Sequence, residues 1–177
     1  MDNKDLIEIA KNIKLVAFDV DGVMTDGSLS FTQDGVEIKT FNAKDGMGVV
    51  MLSRAGLITS IITARDNNTV NLRAKMIDIK ELYTGQKDKT KALEDLINKY
   101  NINKSQVAYM GDDLPDICIL KQIALACCPK DAVLEVKKVC NFISKKKGGR
   151  GAVRELCDFI LEAKGINYDM LLKPNKQ

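Results

Sequence analysis

Val16-Ala17-Phe18-Asp19-Val20-Asp21-Gly22 carries an apolar run directly into two carboxylates and a glycine. A second segment, Gly111-Asp112-Asp113-Leu114-Pro115-Asp116, follows the short apolar run Val107–Gly111. Nearly continuous apolar runs of this length read as strands covered on both faces. In an open parallel sheet, the carboxyl ends of central strands line the ligand crevice. Both acidic clusters are therefore expected to meet there, where they repel each other unless a cation or a proton settles the charge. A hard divalent cation with carboxylate and carbonyl ligands suits that site, and Mg2+ is the usual one beside a phosphate.

Further strands are expected at Leu57–Thr63, Ile123–Cys127 and Phe142–Ser144, with the first running over Ile13–Val20. Helical patterns fall at Gly46–Ala55, Asn67–Ile77, Lys87–Tyr100, Leu114–Gln122, Asp131–Val136 and Ala152–Ala163, the last stopped by Gly165. This alternation predicts a three-layer α/β domain with a central, mostly parallel sheet. Ser28–Phe31 and Val36–Phe41 flank Thr32-Gln33-Asp34-Gly35 and read as a β-hairpin hanging over the crevice. Residues 1–165 form one domain in this reading, and 166–177 a tail that is either mobile or docked on a neighbour.

The 177 residues suffice for one domain with a sizeable core. With 27 basic and 24 acidic residues, the charge gives no reason to expect nucleic acid as a partner. No apolar stretch approaches a membrane helix, and Met1 to Asn12 lacks the apolar core of a signal peptide, so a cytoplasmic location is expected. The five cysteines include no C-x-x-C pair and read as reduced thiols. Histidine is absent, which excludes phosphohistidine chemistry, histidine triads and histidine-ligated zinc. Acid–base or nucleophilic work must fall to Asp, Glu, Lys, Ser, Thr, Tyr or Cys.

Four elements in order, Asp19-Val20-Asp21-Gly22-Val23, Thr63, Lys89 and Gly111-Asp112-Asp113 with Asp116, resemble the motifs of the haloacid dehalogenase-like phosphatase superfamily. The resemblance implies that Asp19 is a nucleophile forming an aspartyl-phosphate. It makes Asp21 the general acid and then the base. Thr63 and Lys89 would meet phosphate oxygens, and Mg2+ would sit on Asp19, the Asp21 carbonyl and Asp112. Asp113 and Asp116 would fix the loop and the metal's waters. Lys87 competes with Lys89 for the lysine role; the family pattern places it last in the segment, which favours Lys89.

Many members carry an inserted cap domain over the site. Here the hairpin, a helix and a strand occupy the stretch from Asp21 to Thr63, and one helix with a short strand fills the stretch to Lys89. No cap fits, so the lid is expected from another subunit. The chain resembles the capless branch, the 3-deoxy-D-manno-octulosonate 8-phosphate phosphatases, which are tetramers with a Rossmann-like fold serving lipopolysaccharide precursor synthesis. Phe41-Asn42-Ala43-Lys44-Asp45-Gly46, Thr63-Ala64-Arg65 and Gly148-Gly149-Arg150-Gly151-Ala152-Val153-Arg154-Glu155 carry that likeness. Ala64 departs from a common glycine. The resemblance puts Asn42, Ala43, Lys44, Asp45, Gly46, Arg65 and Arg73 at the substrate, with some contacts crossing subunits. Arg65 and Arg73, eight positions apart, are expected to share a helix face. The roles of Arg150, Arg154 and Lys145–Lys147 stay open.

Three alternatives remain. A receiver-like phospho-switch uses similar groups, but there the lysine comes last, whereas Lys89 precedes Gly111-Asp112-Asp113. A phosphatase for a nine-carbon sugar acid 9-phosphate, or a broader small-phosphate hydrolase, shares every motif. A non-catalytic scaffold has no need of Asp19, Asp21, Lys89 and Asp112 together.

Overall fold

The computed structural model describes residues 3–172. Six strands form one sheet, β1 (Leu15–Phe18), β4 (Ile58–Ile62), β5 (Glu81–Tyr83), β6 (Val107–Met110), β7 (Leu125–Cys128) and β8 (Phe142–Ile143). The spatial order is β5-β4-β1-β6-β7-β8 and every pairing is parallel. The chain thus winds outward from β1 in one direction and then from β6 in the other. The reversal falls between β1 and β6, where an open parallel sheet leaves its crevice.

Side chains of β1 alternate between two cores. Val16 and Phe18 join Val49, Leu52, Val153, Leu156 and Ile160 on one face, from α2 (Ala43–Arg54) and α7 (Ala152–Ala163). Leu15 and Ala17 join Leu93, Leu96 and Ile119 on the other, from α4 (Lys89–Tyr100) and α5 (Ile117–Leu120). Both faces are dry, which explains the unbroken apolar runs. Fully burying each such large aliphatic side chain contributes about 1.5–3 kcal/mol. The three-layer architecture is as expected, and no cap domain is present among the described residues.

Several boundaries differ from expectation for local reasons. Asn42 caps α2 by accepting from the N–H groups of Lys44 and Asp45, so that helix starts three residues before Gly46. The helix expected over Leu114–Gln122 is a 3-10 turn, Leu114–Asp116, followed by α5, because Pro115 offers no N–H and Asp113 and Asp116 accept locally. The segment after Asp131 becomes helical only at α6 (Leu134–Lys137). An unanticipated helix, α1 (Asn3–Asn12), packs Ala10 into the core. α3 (Asn68–Met76) and a short α8 (Tyr168–Leu171) complete the set. Of the tail, Leu171 is buried and its carbonyl accepts from Arg54 at 2.9 Å, so this part docks on its own subunit; residues 173–177 lie outside the described residues.

The hairpin is present as β2 (Ser30–Phe31) and β3 (Glu37–Ile38), with Ser30 opposite Ile38 and Phe31 opposite Glu37. Gly35 takes a left-handed φ of +82° and donates to the Thr32 carbonyl at 3.0 Å, closing the turn.

Candidate active site

Asp19 leaves β1 with its N–H still donating to the Met110 carbonyl at 3.0 Å, which fixes its backbone against β6. Gly22 then turns the chain at φ +83°, and a Cβ there would fall 2.0 Å from an Asp112 carboxylate oxygen. Only glycine permits both the turn and that approach. Lys89 is the first residue of α4, a helix capped by Asp88, and its side chain is 2% exposed. Its Nζ lies 2.9 Å from Asp19 Oδ1, 2.6 Å from Asp116 Oδ1 and 3.1 Å from the Tyr109 hydroxyl. Lys87, the competing lysine, is exposed.

Asp116 is an organiser whose oxygens are spoken for. Oδ1 accepts from Lys89 and from the Tyr109 hydroxyl at 2.7 Å; Oδ2 accepts from the N–H groups of Asp112 at 2.9 Å and Asp113 at 3.2 Å. Carboxylate oxygens of Asp19, Asp112 and Asp116 lie within 4.8 Å of one another. Asp112 Oδ1 is buried and has no hydrogen-bond partner. Oxygen donors at this spacing, one of them orphaned, fit a hard divalent cation better than any neutral group. Asp19 and Asp112 have oxygens to offer it, whereas those of Asp116 are engaged.

The electrostatics follow from this crowding. Burial, reinforced by Asp116 and opposed by Lys89, pushes the Asp19 carboxyl up to about 6. Burial together with Asp19, Asp116 and Asp113 pushes Asp112 up to about 8. Burial disfavours the Lys89 ammonium, but Asp19 and Asp116 outweigh it and raise its pKa, so the lysine stays charged. A cation beside Asp19 and Asp112 relieves the strain that protons otherwise relieve.

Asp21 stands at the mouth, where the hairpin crosses it. Lys39, just beyond β3, reaches the Asp21 carboxylate with an ammonium that also meets Glu37 at 3.1 Å. Arg65 approaches the other Asp21 oxygen at 3.6 Å and Glu37 at 3.0 Å, and Asn67 donates to Glu37 at 2.9 Å. Thr63 is buried, fixed by its N–H to Tyr83 and its carbonyl to Gln86. A cleft of about 280 Å3 brings Asp19, Asp21, Thr63, Arg65, Lys89 and Asp112 together. Two larger depressions, of about 750 and 840 Å3, lack any such grouping of carboxylates around a buried lysine.

Other expected site residues lie outside this cleft. Arg73 is wedged under α2, donating to the Asn42 carbonyl at 3.0 Å and stacking on Phe41 at 5.6 Å. A Cβ on Gly46 would fall 2.1 Å from that guanidinium. Arg65 and Arg73 do not share a helix face, because Asn67 caps α3 and leaves Arg65 in the preceding loop. The Asn42 side chain caps α2 and donates to the Gly149 carbonyl at 3.3 Å. Asp45 is buried, accepting from the N–H groups of Gly151 at 3.2 Å and Arg154 at 2.8 Å, while Lys44 is exposed.

Those contacts give the glycine-rich segment a physical role. Gly148 and Gly149 run against the Gly22–Asp26 loop, with Gly149 N–H donating to the Val23 carbonyl at 2.9 Å. Arg150 pairs with Asp26 at 3.2 Å, and Glu155 accepts from Ser144 and from the Lys145 N–H. The segment braces the loop bearing Asp21 against α2 and α7. Lys39, Glu37, Tyr109 and this brace are absent from the expected site. Strand periodicity placing Glu37 and Lys39 on one face was the available signal for the first two.

A family model described as haloacid dehalogenase-like hydrolase matches residues 31–156. The 3-deoxy-D-manno-octulosonate 8-phosphate phosphatase of Yersinia pestis is 41% identical over 159 residues, covering 90% of this chain and 85% of that one. The chain belongs to the haloacid dehalogenase-like hydrolases. Among solved structures, this hydrolase is similar to the Moraxella catarrhalis 3-deoxy-D-manno-octulosonate 8-phosphate phosphatase, solved with a magnesium ion, a phosphate ion and a KDO molecule. That likeness has a TM-score of 0.91 and 39% identity, covering 95% of this chain and 96% of that one. The hydrolase is also similar to the cobalt-bound Haemophilus influenzae deoxy-D-mannose-octulosonate 8-phosphate phosphatase, at TM-score 0.87 and 34% identity, covering 93% and 99%.

Proposed function

We propose that this hydrolase removes phosphate from 3-deoxy-D-manno-octulosonate 8-phosphate, with Mg2+ as cofactor, and so supplies the free sugar acid for lipopolysaccharide precursors. The observation that carries the reading is the buried Lys89 bridging Asp19 and Asp116, with the orphaned Asp112 oxygen beside them. The names of the relatives supply the substrate. Asp19, the Asp21 carbonyl and Asp112 would hold the ion, which when bound neutralises phosphoryl oxygens and lets a carboxylate approach a dianion.

An Asp19 oxygen attacks phosphorus; the bond to the sugar oxygen breaks, and Asp21 gives that oxygen its proton. Asp21 then takes a proton from water, whose oxygen displaces Asp19 and releases inorganic phosphate. Lys89 and Thr63 hold phosphoryl oxygens throughout, and Lys89 keeps the nucleophile aimed. Splitting the hydrolysis in two suits a reaction that is among the slowest known without a catalyst.

The lid comes from a second copy of the chain, and a tetramer is the assembly we infer. The hairpin exposes Leu29, Phe31, Val36 and Ile38, an apolar set with no cover in the single chain. Of the expected site residues outside the cleft, Ala43 and Lys44 are exposed and can meet a neighbour, whereas Asp45, Gly46 and Arg73 are engaged within their own subunit. We place the protein in the cytoplasm, where its five unpaired cysteines stay reduced; among the described residues no helix is long and apolar enough to cross a membrane.

The test is phosphate release from eight- and nine-carbon sugar-acid phosphates and from hexose phosphates, with Mg2+ and with excess EDTA. Preference for the eight-carbon substrate and silence in EDTA are expected. Equal rates on all substrates would remove the substrate assignment, and unchanged activity in EDTA would remove the metal.

A further inference from the structure

We infer that Lys39 is a positioning residue for Asp21, and that through it the hairpin controls proton delivery to the leaving group. The inference rests on the reading of Asp21 as the general acid.

Lys39 stands on a hairpin whose other side chains are largely exposed, yet its own side chain is 2% exposed. A lysine side chain buried at the foot of a flap must be paired to stay there. Its partners are the Asp21 carboxylate and Glu37. Glu37 is itself held from two further sides, by Arg65 and Asn67, so it acts as a fixed anchor for the Lys39 ammonium. One Asp21 oxygen is thereby gripped by Lys39, while the other has only Arg65 at 3.6 Å, beyond hydrogen-bond range. The arrangement restrains the rotation of the Asp21 carboxyl, a group that lines the cleft, and leaves its second oxygen without a hydrogen bond. It also joins Asp21 to the hairpin, since a flap that lifts takes Lys39 with it. Lys89, by contrast, serves Asp19 and Asp116 and is not in reach of this task.

General acid catalysis matters most when the departing oxygen is a poor anion. A sugar alkoxide needs the Asp21 proton, whereas the aryl oxide leaving from p-nitrophenyl phosphate does not. Misplacing Asp21 must therefore damage the first reaction more than the second. The full chain with Mg2+ is assayed on the octulosonate 8-phosphate and on p-nitrophenyl phosphate, as wild type, Lys39→Met, Lys39→Arg, Glu37→Gln and Asp21→Asn.

For Lys39→Met the expected result is a fall in kcat of about 100-fold on the sugar phosphate with KM little changed, against roughly threefold on the aryl ester. Lys39→Arg, which keeps a charge on the hairpin, recovers most of the sugar-phosphate rate. Glu37→Gln, which loosens the anchor without touching Asp21, shows the same selective loss in weaker form. Asp21→Asn supplies the reference pattern, selective loss on the sugar phosphate. If Asp21→Asn strikes both substrates equally, the acid role of Asp21 fails and this inference with it. If Asp21→Asn is selective but Lys39→Met loses both substrates equally, changes only KM, or changes nothing, the positioning role alone is overturned.

Discussion

Gly148 presses so closely on Gly22 that a Cβ on Gly148 would fall 1.8 Å from the Gly22 carbonyl oxygen. Both neighbours are backbone, so nothing flexible can give way. Gly148→Ala is expected to cost about 1–3 kcal/mol in stability, as overpacked sites do. It also shifts the loop that carries Asp21, and a misplacement of about 1 Å can cost about 100-fold in kcat. Gly56→Ala is the control. Unlike Gly148, Gly56 takes a left-handed φ, of +84°, and it has open space for a Cβ, so an alanine there adds backbone strain and no steric contact. Urea denaturation with steady-state kinetics separates the two; equal activity in both variants would remove the brace from the catalytic account.

Lys89→Met leaves Asp19 and Asp116 buried without their cation. Removing one partner from such a group costs about 3–5 kcal/mol, and activity is lost with it. Adding Asp19→Asn to Lys89→Met removes one stranded charge and recovers part of the stability. Chemical denaturation of both variants checks this, with full additivity of the two changes as the contrary outcome.

The raised carboxyls of Asp19, about 6, and Asp112, about 8, fix a pH dependence. Their pKa values exceed the ordinary 3.8 of the unfolded chain, so the unfolded state releases these protons first as pH rises. Metal-free protein therefore loses stability from about pH 4 to about pH 8 and levels off above. Cation binding needs both groups ionised, so Mg2+ affinity rises across the upper part of that window. Near pH 7 binding expels a proton from Asp112. Calorimetry in buffers of different protonation enthalpy measures it, and a count of zero protons would contradict the crowding described above.

Val36→Asp combined with Ile38→Asp charges an exposed apolar side of the hairpin, two residues apart and alternating with Glu37, and leaves the Glu37 and Lys39 side chains in place. Light scattering is expected to show a smaller particle than wild type, and activity to fall because the borrowed lid is lost. A fully active monomer of the wild-type chain would end the inter-subunit account.

The fold and the meeting of the two acidic clusters were readable from the sequence because both depend on strand ends. Apolar runs located β1, β4, β6 and β7, and the carboxylates following β1 and β6 meet at the reversal of strand order. What escaped the reading depends on contacts distant in sequence. Glu37 and Lys39 look like the solvated half of a short hairpin until the flap folds onto Arg65 and Asp21. Tyr109 reads as one more apolar residue of β6, and only burial beside Asp116 gives its hydroxyl a task. Arg65 and Arg73 have the spacing of one helix face, but the Asn67 cap starts the helix between them. Leu6, Ile9, Ala10 and Ile13 have helical spacing, so α1 lay within reach of the pattern.

Each of the four groups that Asp116 meets, the Lys89 ammonium, the Tyr109 hydroxyl and two backbone amides, points a hydrogen at it. Asparagine has nearly the same outline, but its NH2 would set hydrogen against hydrogen on one side whichever way it turned. The position therefore selects for charge and not for shape. In sequences that keep Lys89 and Tyr109, the closest steric mimic of aspartate should be among the least tolerated replacements.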